Sequence, residues 1–166
     1  MRKRWIVLGV LVVAITASPS KAAERAPVTC EQFIASVNDG GKNYDAPPLP
    51  IEKTLAYGDF KDSQLKMFPD VYMGLSCLNG HLDTFEVMPE TREAMAAIRA
   101  GLTMAIAMHA FGLDWKTALN MRDEMVREMS TESGRAETNV EGATIRLHRG
   151  ITGIPVFQIE YPDPVN

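Results

Sequence analysis

The chain has 166 residues, 46% hydrophobic and 23% charged, the proportions of one ordinary globular domain and not of a disordered or collagen-like polymer. Its formal charge of −4 argues against a nucleic-acid binder that works through net positive charge. No nucleotide loop, zinc-finger spacing or nucleophile elbow occurs in it.

Residues 1–22 read as a secretory signal. Arg2, Lys3 and Arg4 precede an apolar or small-residue run over 5–17 that Pro19 ends. Ser20 and Ala22 put small side chains at the −3 and −1 positions, which predicts cleavage between Ala22 and Ala23. The run falls short of the ~20 residues a membrane-spanning helix needs, so no stable membrane anchor is expected. Residues 23–166 are then a single exported domain, periplasmic or secreted. Four of the 17 basic residues leave with the signal and none of the 21 acidic ones do, so the exported part is left at −8. Such a charge disfavours DNA and anionic membranes as partners.

Cys30 and Cys77 are the two cysteines. In an oxidising compartment they predict one disulfide, and chain entropy allows about 4 kcal/mol for a loop of that length before strain is subtracted. There is no Cys-x-x-Cys, so the expected role is a staple and not redox chemistry.

Thr29 and Gln32 have the form of a capping box and predict a short helix to residue 37, stopped by Asn38-Asp39-Gly40-Gly41. Residues 38–50, with Pro47-Pro48-Leu49-Pro50, read as an extended loop, and 55–60 as a short strand. Two strand-like runs, 71–78 and 81–88, flank Asn79-Gly80, a strong hairpin signal. A simple two-residue turn would pair Leu75 with Thr84 and Met73 with Glu86 on the apolar, core-facing side, together with Cys77. Residues 90–111 read as a helix opened by Pro89 and closed by Gly112; Asp114 then caps a second helix to Met129. Polar residues 130–142 read as loop, and 143–149 and 154–161 as a last strand pair. The expected fold is α+β: a small antiparallel sheet of two β-hairpins packed against a helical hairpin and a short N-terminal helix.

Several residues invite a chemical reading. Met121, Met125 and Met129, with Met104 and Met108, repeat at helical spacing near His109; stacked thioethers suit Cu(I), but methionine on a wide apolar stripe is ordinary core. His109 falls on the most apolar part of its helix, where a neutral, hydrogen-bonded core histidine is expected. Ser76, His81 and Asp83 share a hairpin face and match a triad by type, without a sharp turn or oxyanion donors. Arg122 lies inside the apolar arc of the second long helix, and Glu86 on the apolar hairpin face. Two such charges need partners, so the expectation is that Arg122 and Glu86 meet, with a binding role for Arg122, Glu86 and His109. The functional expectation is a non-catalytic exported binding or accessory protein whose partner is an envelope or secreted protein, without cofactor. The alternatives are a small enzyme with a site around His109 and Arg122, and a methionine-based copper protein.

Overall fold

The computed structural model describes residues 29–131 and 134–161. The segment read as a signal, with the cleavage expected between Ala22 and Ala23, lies outside them. The order is α1 (Cys30–Lys42), β1 (Ile51–Tyr57), β2 (Phe60–Leu65), β3 (Val71–Leu78), β4 (His81–Pro89), α2 (Ala94–His109), α3 (Trp115–Met129), β5 (Arg135–Val140), β6 (Ala143–Arg149) and β7 (Pro155–Glu160). The strands form one antiparallel sheet in the order β1-β2-β3-β4-β7-β6-β5. Three helices cover one face, and the other stays open and half-exposed. The α+β class is as read from the sequence, but the sheet has seven strands and not four.

The differences have physical causes. Residues 55–60 span a turn: Gly58-Asp59 joins β1 to β2, with Tyr57 opposite Phe60. The polar stretch read as loop contains β5, paired along its whole length with β6 through the turn Glu141-Gly142, whose φ values are 50° and 86°. Helix α1 runs past Val37 to Lys42, because Gly40 and Gly41 continue its buried stripe of Phe33 and Val37. A Cβ at Gly40 would already touch His109 and Ile106 at 3.4 Å, so the glycine is where α1 comes close to α2. Helix α2 starts at Ala94, after β4 has run through Pro89 and Glu90 has donated its N–H to the Asp70 carbonyl.

The capping signals hold. Thr29 and Gln32 form the reciprocal capping box, and Asp114 accepts from the Thr117 N–H. Asn79 and Gly80 take φ of 52° and 80°, the pair of positive values a tight two-residue hairpin turn requires. Beyond that turn the register departs from the simple one. Cys77 pairs with Leu82, but Ser76 pairs with Thr84, so Asp83 is an extra residue, a β-bulge. The bulge puts Phe85 and Val87, opposite Leu75 and Met73, into the core and turns Glu86 to the open face.

The core between sheet and helices holds Phe33, Phe85, Met104, Ile106, Met108, Ile145 and Ile159, all at most 2% exposed. Cys30 and Cys77 stand at disulfide distance, with Cα atoms 6.3 Å apart and 47 positions apart in sequence, tying the first turn of α1 to β3.

Candidate functional site

Arg122 and Glu86 do not meet. The Arg122 guanidinium donates to its sequence neighbour Asp123, Nε at 2.8 Å and Nη2 at 2.6 Å to Oδ1. Glu86, on the face away from the helices, lies near Tyr72. Nor do Arg122 and His109 share a cleft: the Arg122 stem lies over Gly101, more than two helical turns before His109 on α2. His109 donates from Nδ1 to the Leu113 carbonyl at 2.6 Å and stacks on Trp115, 4.8 Å between centroids. His109 is therefore hydrogen-bonded, as expected, but half-buried at the end of α2 and not within the core.

Ser76 does not join His81 and Asp83 either. It donates to Asp62 on β2 at 2.5 Å, while Asp83 sits in the bulge. Met104, Met108, Met125 and Met129 are buried in the core and Met121 packs against it, so the thioethers a copper reading needs at the surface are inside. Among the described residues, no group of three His, Cys, Asp or Glu side chains is placed to hold a metal ion.

The middle of the open face, around Asp62, Ser76 and Glu86, is polar. Tyr72 lies over Gly74, its hydroxyl 3.1 Å from where a Cβ would stand. Its pKa is raised, first by burial and then by the carboxylates of Glu86 and Asp62. Farther along, Arg146 donates to both Glu137 and Glu160, and Arg135 donates to Glu137. Hydrogen bonds from Arg146 and then Arg135 hold the Glu137 carboxyl below its ordinary value. Arg146, Arg135, Glu137 and Glu160 thus neutralise one another on and across neighbouring strands.

Two other surfaces are incomplete. All seven residues of β1 are exposed, and the helices leave it uncovered on both faces. By register Thr54 and Ala56 face the helical side with Ser63 and Lys61, whereas Leu55 and Tyr57 face the open side with Asp62 and Phe60. Ile51, Leu55 and Tyr57 are 55%, 43% and 65% exposed. Between β1 and the start of α1 lies a crevice of about 680 Å³ lined by Ile34, Ile51, Ala56, Lys61, His81 and the two cysteines, among others. The other sheet edge is different: β5 buries Ala136 and Val140 under α3 and places Arg135 and Glu137 on its other face.

The second surface is a groove of about 270 Å³ between α2 and α3, floored by Val87, Leu147 and Phe157 and walled by Ala97, Gly101 and Met129. Neither surface was identified from the sequence. A usable signal for the groove was present in Ala97, Ala100, Gly101 and Met104, small or slender side chains at helical spacing. No described helix is long and apolar enough to cross a membrane. Compared with protein families, characterised proteins and solved structures, the chain matches none.

Proposed function

We propose that this chain is an exported, non-catalytic binding protein that takes up an extended segment of a partner protein along β1. The observation that carries the reading is the contrast between the two sheet edges: β1 is exposed along its whole length, with Leu55, Ala56 and Tyr57 beyond its charged Glu52-Lys53 pair, whereas β5 is packed under a helix on one face. An edge strand turns every second N–H and C=O outward, which is a template for another strand. Lys53 and the irregular register between Ile51 and Lys53 guard the first half of the edge. From Thr54 to Tyr57 no such device stands. A segment added there would send alternate side chains into the crevice beside Ile34 and Ala56 and over Leu55 and Tyr57, so an apolar partner strand fits.

The two-residue Gly58-Asp59 loop makes Tyr57 and Phe60 the hydrogen-bonded pair next to the turn, so alternation points the Ala56 N–H outward. Ala56→Pro removes that donor at a position where an edge strand tolerates proline. With p-benzoylphenylalanine in place of Tyr57, the exported protein should crosslink to one specific partner in its own compartment. Ala56→Pro should abolish the adduct with melting temperature unchanged. No adduct, or one indifferent to Ala56→Pro, overturns the reading; an adduct between two copies of this chain replaces it with self-association.

A further inference from the structure

We propose that the groove between α2 and α3 is a ligand site for a slender monoanionic amphiphile of the fatty-acid class, with the alkyl chain in the groove and the carboxylate on Arg122. The groove lining is apolar throughout and contains no charged side chain. Ala97, Ala100 and Gly101 leave the space that larger side chains would fill, and Met104 and Met129 are flexible enough to shape themselves to an alkyl chain. A volume of about 270 Å³ is just below that of most ligand cavities and suits a single chain, not a fused-ring molecule. Val126 on its wall is 44% exposed, so the groove opens to water.

The charge is at the end of this groove. Arg122 precedes Val126 by one helical turn on the same face of α3. Its Cδ lies 3.6 Å from the Cβ position of Gly101, which is part of the groove wall. The Arg122 side chain is 25% exposed, and its bonds from Nε and Nη2 both fall on one oxygen of Asp123, a carboxylate 67% exposed. Such a surface pair is weak and readily exchanged. Nη1 donates to none of the described residues, so the fork has a donor for an incoming carboxylate. Asp123 beside it disfavours a dianionic head, which is why a monoanion is assigned. The site is separate from β1 and does not depend on the reading of that edge.

Decanoate and 1-decanol titrated into the exported protein test this by calorimetry and by NMR of methionine methyl groups. Decanoate should bind saturably, shift the methyls of Met104 and Met129, and bind roughly tenfold more tightly than the alcohol. Arg122→Met should remove that preference. Ala97→Phe, at an exposed position, should weaken both ligands at least tenfold, and Val126→Asp, also exposed, should do the same if the first variant is poorly folded. No saturable binding, or binding that both groove variants leave unchanged, overturns the site. Equal affinity for decanoate and decanol in the unmodified protein overturns the assignment of the head group to Arg122.

Discussion

The Phe33 ring on α1 stands edge-on to the Phe85 ring on β4, centroids 4.9 Å apart and planes at 63°. Both side chains are fully buried, so this pair fastens the N-terminal helix to the middle of the sheet. It exists because the bulge at Asp83 turns Phe85 inward and its neighbour Glu86 outward.

That register has a direct stability test. Phe85→Ala should cost about 3–5 kcal/mol, as a large core truncation does, while Glu86→Ala should stay within about 0.5 kcal/mol. Urea unfolding of the two variants measures both. Comparable losses would restore the unbulged register and return Glu86 to the core.

The N-terminal cap is a second point of leverage. Thr29→Ala removes the acceptor of the Gln32 N–H and should cost about 1 kcal/mol, with Thr29→Ser close to neutral. A loss in both variants would locate the effect in packing and not in the cap.

At Gly40 the expected sign changes with size. Alanine meets His109, Ile106 and Trp115 at 3.4–3.6 Å, ordinary contact, and relieves a helical glycine, so Gly40→Ala should be neutral or stabilise by up to about 1 kcal/mol. Gly40→Leu overfills the α1–α2 contact and should destabilise by about 1–3 kcal/mol. Thermal melts decide; a tolerated leucine would mean that the two helices are free to separate.

Acid should act through Glu137. Its folded pKa lies below the ordinary 4.5, held there by Arg146 and Arg135. A depressed carboxylate stabilises the fold fully above the unfolded pKa, and that contribution is lost as pH falls through the lower folded value. Glu137→Gln should therefore lower the melting temperature near neutrality and converge with the unmodified protein in strong acid. Parallel curves across that window would show that the Arg146 network contributes no pH dependence.

Much of this was legible because caps and tight turns are local chemistry. The Thr29/Gln32 box, the Asp114 cap and the Asn79-Gly80 turn each depend on residues within three positions of one another. What escaped was set by tertiary contact. Gly40 reads as a stop signal until α2 is seen against it. Arg135–Val140 reads as loop because Glu141-Gly142 is a weaker turn signal than Asn-Gly and the strand buries only two side chains. The Arg122–Glu86 pairing failed on one inserted residue, since a single bulge exchanges the two faces of a strand. Met104, Met108, Met125 and Met129 fall in the core because burial follows the helical period, whereas His109, in the last turn of α2, is half-buried. The groove escaped because Ala97, Ala100 and Gly101, though at helical spacing, bound a cavity only once α3 and the sheet stand beside them.

The bond between Cys30 and Cys77 makes a closed covalent ring of α1, the proline-rich segment, β1, β2 and β3. A protease that nicks the ring once, at Pro47-Pro48 or at the Gly58 turn, frees no fragment, because both new ends stay attached through the two sulfurs. The strand proposed to receive a partner is thus the stretch of the sheet with the least cover and also the stretch that a single cut does not release. Nicked protein should migrate as one chain without reductant and as two with it.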